Sequence, residues 1–329
     1  MTAGDAALCL GTNQDGIVLT CQERGLSYSK AHQQIYFGHE TARDLFSFSF
    51  KPKVIVFQIV KGGTGKTSLV YEFAIRASLY GARVLCVDMD QQGNLTQAFN
   101  QDAEHLPVMI DILADHHPFQ ESIVSVAPGI DLLPSRFENS MLDEVLRLKK
   151  LPLQSVYREP LQTLKRLYDV IVVDCPPSLG QSVTACALAA DLLVAPVTLE
   201  TFALSGLDMV YQSVQELKST FGLSLRFNVV VNKLNPRINQ VKRNPLFLHL
   251  KNSKYEDKLL KSYIRLSHDL SKAISNQESI FDSVRKTFAK EDIDRLTQEL
   301  LGISSKKPAV LTKKESTIRL EKSHLLNEF

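Results

Sequence analysis

The run Lys61-Gly62-Gly63-Thr64-Gly65-Lys66-Thr67-Ser68 holds the chemistry most plainly written in this chain. Three glycines let the backbone curl so that successive N–H groups face one anion, and a helix beginning at Lys66 adds the positive end of its dipole. Lys66 is a point charge with the reach for the β- and γ-phosphates of a nucleotide, and the Thr67 hydroxyl is a hard oxygen ligand for Mg²⁺. Gly62, Gly63, Thr64, Gly65, Lys66, Thr67 and Ser68 are therefore candidate nucleotide-binding residues, with ATP and Mg²⁺ as the expected ligands. Metal-assisted phosphoryl transfer also needs carboxylates. Asp88, Asp90 and Asp174 supply them, at or just beyond the ends of two apolar runs.

These groups need elements that bring them together. Val54–Val60 is almost continuously apolar and β-branched, as expected of a strand buried on both faces of a parallel sheet. It leads directly into the glycine loop, and a helical stretch follows to about Tyr80, with Gly81 in the position that ends a helix. Arg83–Asp88, Asp169–Asp174, Leu192–Pro196 and Phe227–Asn232 are further short strands. Ala203–Phe221 has apolar residues at spacings of three and four, which predicts a helix. Strands alternating with helices indicate an α/β fold, a doubly wound, mostly parallel sheet with helices on both faces. In such folds ligands sit at the carboxyl ends of the strands, where the residues above fall.

The loop departs from the general GxxxxGK[ST] pattern. Val60 stands where its first glycine would be, and a second lysine, Lys61, precedes the glycine pair. KGGxGKT[ST] resembles the deviant Walker A element of the ParA/MinD superfamily of P-loop ATPases. Asp88-Met89-Asp90-Gln91-Gln92-Gly93-Asn94 is similar to that family's DxDPQGN segment, with Gln91 in place of proline. Asp174-Cys175-Pro176-Pro177-Ser178 is similar to its Walker B element. Val60, the QQGN run and the paired prolines side with ParA-type DNA-partitioning ATPases rather than MinD. The resemblance covers roughly residues 52–300.

It implies roles for single residues. Lys61 would cross a dimer interface to the partner's nucleotide, so that a homodimer forms on ATP binding. Asp90 would orient or deprotonate the attacking water. Asp88 and Asp174 would support Mg²⁺ with Thr67, and Asn232 would contact adenine. Arg237 and Arg265 fall where ParA proteins carry arginines for sequence-independent binding of double-stranded DNA, and Lys242, Arg243, Lys258 and Lys261 extend the patch. The implied activity is slow ATP hydrolysis, stimulated by a ParB-type centromere-binding partner, in a cytoplasmic, nucleoid-associated protein that segregates a plasmid or chromosome. A MinD-like ATPase positioning a membrane-associated or protein cargo is the alternative. Relatives of the nitrogenase iron protein need paired cysteines around a cluster, and no second cysteine follows Cys175 at a suitable place.

Composition bounds these readings. Net charge is only +2, so a case for DNA must rest on a local patch. Residues 236–272 provide one, with nine Lys/Arg against three acids. Five scattered cysteines without CxxC spacing read as reduced and buried. No apolar stretch approaches the ~18 residues of a membrane span, and no signal peptide is expected. Residues 1–50, which carry a helical region around Ser29–Phe46, are expected to form a short N-terminal arm or small helical element. Residues 51–301 form the ATPase domain and 302–329 a basic tail.

Overall fold

A computed structural model describes residues 1–31, 34–235, 244–283 and 285–303, without the side chains of residues 201–203. Two short strands, β1 (Ser29–Ala31) and β2 (Gln34–Tyr36), form a hairpin of their own. The main sheet holds β3 (Lys53–Phe57), β4 (Val84–Asp88), β5 (Val124–Ala127), β6 (Ile130–Leu133), β7 (Val170–Asp174), β8 (Leu192–Val197), β9 (Arg226–Leu234) and β10 (Leu259–Arg265). Their order across it is β10-β9-β8-β3-β7-β4-β6-β5, with every pairing parallel except β5 with β6. Residues of β3, β4 and β7 are almost wholly buried, which is why these strands read as unbroken apolar runs.

Helices cover both faces, as the doubly wound pattern requires. One core layer involves α6 (Met109–Asp115), α7 (Leu142–Leu148), α8 (Arg158–Leu164), α9 (Gln181–Ala189), α10 (Thr201–Phe221) and α11 (Pro245–Lys251). The other involves α4 (Lys66–Leu79), α5 (Asn94–Ala98), α12 (His268–Ser275) and α13 (Phe288–Leu301). The expected helix to Tyr80 is α4, and Gly81 follows at φ 85°. Gly81 is required twice over. Its backbone is left-handed, and a Cβ there would lie 2.4 Å from the Arg43 Cα. Lys53, opening β3, donates to the carbonyls of Leu300 (2.9 Å) and Leu301 (3.2 Å), which caps the last turn of α13 with a cation.

The N-terminal residues differ from the expected helix over Ser29–Phe46. The hairpin β1–β2 takes the first half, and only α3 (His39–Phe46) is helical. Before them stand α1 (Ala3–Leu10) and α2 (Gln14–Glu23), joined by a three-residue turn in which Gly11 is left-handed. The physical reason lies in the sequence. Thr2 and Asn13 cap these two helices through their side chains, whereas residues 29–31 and 34–36 are largely exposed and pair as two antiparallel strands. Ala6, Ile17, Ala42, Leu45 and Phe46 are buried in the same apolar cluster as α4 and α13. Arg43 donates to the Gly81 carbonyl and to Asp169, both at 2.7 Å.

Candidate nucleotide site

β3, β7 and β4 are neighbours, and their register sets Phe57 level with Asp174 and Asp174 level with Asp88. The chain leaves β3 three residues before the predicted strand end. It then runs as an irregular loop to Lys66, with Gly63 and Gly65 left-handed at φ 74° and 82°. Beside the loop lies an open cleft of about 720 Å³. Its walls are residues 61–68, the Asp90–Gln92 turn with α5 at Asn94, Gln97 and Ala98, Pro177, and the end of α12 at Ile274 and Ser275 with Gln277 just beyond it.

Asp174 ties the loop to the sheet. One carboxylate oxygen accepts from the Lys66 ammonium at 2.8 Å and the other from the Thr67 hydroxyl at 2.6 Å. Lys66 is 7% exposed and Asp174 fully buried. Burial lowers the ammonium's proton affinity, but Asp174 outweighs it and the net shift is upward, so Lys66 stays charged. Asp88 accepts from the Thr96 amide (2.9 Å), the Thr96 hydroxyl (2.8 Å) and the Asp90 amide (3.1 Å). Burial and then the neighbouring Asp174 charge push its carboxyl up to about 7. Two buried carboxyl groups thus adjoin, with the ammonium paired to Asp174, and a further cation at this point would relieve them. The oxygen-only set of Thr67, Asp174 and Asp88 fits Mg²⁺. Among the described residues no group of three or more acidic, His or Cys side chains could hold a metal alone.

Asp90 lies on the cleft wall, 5% exposed, with a carboxylate oxygen accepting from the Gln92 amide at 3.1 Å. Its backbone carbonyl is held by the Ser135 hydroxyl at 2.7 Å. Lys61 sits at the cleft mouth, more exposed than Lys66, and pairs with Glu200 of its own chain.

Two expected site residues have other partners. The Asn232 amide donates to the Thr64 carbonyl at 2.7 Å, and its oxygen accepts from the Lys233 amide at 2.8 Å, so it braces the loop. Arg265 differs more sharply from the DNA-binding expectation. Its guanidinium makes a two-pronged pair with buried Asp292 (2.8 and 2.7 Å) and lies over the Phe288 ring, joining β10 to α13. Planar pairing of this kind commits the donors a phosphate would need. Lys258 pairs with Asp257, while Lys261 is exposed. Arg237, Lys242 and Arg243 lie outside the described residues.

Several contributors went unnoticed in the sequence. Gln58 is buried, donates to the Ser178 carbonyl at 2.5 Å, and so joins the loop's strand to the segment after Asp174. Its signal was available, as the one amide inside the run 54–60. Thr96, Ser135 and Glu200 carried none. All five cysteines are free and buried.

The profile of a family described as an AAA domain matches residues 52–227. The chain is 28% identical over 264 residues to the cell division protein PomZ of Myxococcus xanthus, covering 79% of this chain and 82% of PomZ. It is 30% identical over 255 residues to the virulence plasmid ParA family protein pGP5-D of Chlamydia psittaci, covering 75% and 94%. In fold it is similar to Cyanothece McdA in complex with ATP, at a TM-score of 0.68 and 20% identity, covering 78% of this chain and 98% of that one.

Proposed function

The chain belongs to the ParA family of P-loop ATPases, and from that premise we propose that it is an ATP-dependent switch for DNA partition. The ATPase uses MgATP. The loop N–H groups and Lys66 bind the phosphates, and Thr67, Asp174 and Asp88 hold Mg²⁺, which neutralises phosphate charge when bound. Asp90 orients water for attack and accepts its proton. Two ATP-loaded copies close face to face, bind double-stranded DNA without sequence preference at the nucleoid, and separate after a ParB-type partner stimulates hydrolysis. The cargo is a plasmid or chromosome.

One observation carries this reading, the division between the loop's two lysines. Lys66 is inside, tied to buried Asp174, whereas Lys61 stands at the cleft's edge, more exposed, and pairs with Glu200 at the surface. A lysine so placed stays outside the loop's buried ion pair and is available to a facing copy, which makes association depend on nucleotide. For DNA, the commitment of Arg265 to Asp292 leaves Arg237, Lys242, Arg243 and Lys261 as the proposed contacts. PomZ, a cell division protein, favours a second reading in which the same switch positions a cargo other than a replicon.

Fluorescence anisotropy on random-sequence duplex DNA, at two salt concentrations with ATP, ADP or no nucleotide, tests the proposal. Binding should appear with ATP alone and weaken steeply with salt. Equal binding in all three states would sink the switch, and no binding in any would remove DNA as the matrix.

A further inference from the structure

The end of β9 touches the phosphate loop at three successive residues. The Lys233 ammonium donates to the Gly63 carbonyl at 2.8 Å, and the Asn232 amide donates to the Thr64 carbonyl at 2.7 Å. A Cβ on Gly65 would fall 2.5 Å from the Asn232 amide nitrogen and 3.6 Å from the Lys233 side chain, so the loop has settled directly onto this pair. Lys233 reaches the loop from a left-handed backbone at φ 54°, a conformation costly for a residue with a side chain. It is also the last residue but one of β9, where a regular strand would have sent its side chain elsewhere.

Those two carbonyls matter because of what the loop is for. A glycine loop binds phosphate only while its N–H groups converge, and each carbonyl that turns inward replaces a donor with a negative dipole. Alternating left-handed glycines allow the required curl but also allow others, since glycine is permissive. Something must select one.

We propose that Lys233 is a positioning residue for nucleotide binding, which with Asn232 holds the Gly63 and Thr64 carbonyls away from the cleft and so keeps the loop's donors facing the phosphates. Lys233 does not line the nucleotide cleft itself and acts through the loop. The proposal rests on the nucleotide reading of the site, and wild-type affinity for ATP tests that reading separately.

Lys233→Gly separates this role from a structural one. It removes the ammonium and relaxes the left-handed residue together, so the unliganded protein should melt no lower than wild type while phosphate affinity falls. Affinities for ATP, ADP and pyrophosphate should all weaken by a similar factor, about tenfold or more, because the shared β-phosphate cradle is what loosens. Lys233→Arg should recover part of the loss, and Lys233→Met, which keeps the stem against Gly65, should not. Unchanged pyrophosphate affinity in Lys233→Gly would overturn the proposal by pointing to a contact with the base. A loss confined to ATP would overturn it in favour of a direct γ-phosphate contact, and a lower melting point with normal affinity would leave Lys233 only a role in stability.

Discussion

At the scale of single residues, the site depends on how Asp174 and Asp88 divide the available positive charge. Lys66 and Thr67 occupy both oxygens of Asp174, while Asp88 is satisfied by Thr96 and the Asp90 amide. Asp90 stands apart, since its carboxylate accepts a single local amide and borders the cleft. Asp90→Ala should therefore leave ATP affinity within about threefold and lower turnover about a hundredfold or more. Phosphate release beside binding of a fluorescent ATP analogue measures both, and normal turnover would remove Asp90 from the chemistry. The loop, Asp88, Asp90 and Asp174 were legible in sequence because their chemistry is local, with fixed spacing on either side of a strand end. Arg265 was not. An arginine in a basic stretch looks available until Asp292, 27 positions later, is folded against it.

At the scale of elements, α4 is fixed to the far wall of the cleft by a buried acid. Glu72 on α4 accepts from the Ser279 hydroxyl at 2.7 Å and the Ile280 amide at 3.1 Å, just beyond the α12 residues that border the cleft. Burial pushes its carboxyl up to about 7, against the pull of Ser279 and Ile280; Asp282 adds to the rise and Lys290 opposes it. The native state therefore holds a proton there that the unfolded chain has already lost between pH 4.5 and 7. This makes stability fall as pH rises through that window, by roughly 3 kcal/mol. Glu72→Gln should flatten that slope and raise the melting temperature at pH 8, because the amide carries no charge to desolvate and Ser279 can turn to accept from it. Melting curves from pH 5 to 8 decide the point, and a parallel slope in the variant would absolve Glu72. Buried strands such as β3 and β7 were readable from their apolar runs. β5, β6 and β10 were not: β5 and β10 are the sheet's edge strands, where polar residues interleave and the pattern fades, and β6 beside β5 is only four residues long with Asp131 within it.

At the scale of the whole molecule, α1, α2 and α3 pack their apolar residues into one of the two core layers. Ile17, Leu45 and Phe46 are each buried with the residues of α4 and α13, at about 2 kcal/mol for each such side chain. Deleting residues 1–46 should thus lower the melting temperature by at least about 10 °C or cause aggregation, as thermal unfolding with light scattering would reveal. An unchanged melting point would make this segment an independent appendage. Its place was hidden in the sequence because α1–α3 are short, and what buries them is α4 and α13, distant in the chain.

The contact of Lys53 with the last turn of α13 fixes a polarity for the molecule. Lys53 opens β3 at the end of the sheet away from the cleft, and the described chain finishes there, at Ile303, next to the carbonyls that Lys53 holds. The nucleotide cleft and the C-terminal end of α13 are therefore at opposite ends of the sheet. A fluorophore or surface tether attached on the last turn of α13 would stand away from the cleft, so that immobilised molecules would present the nucleotide site outward to solution.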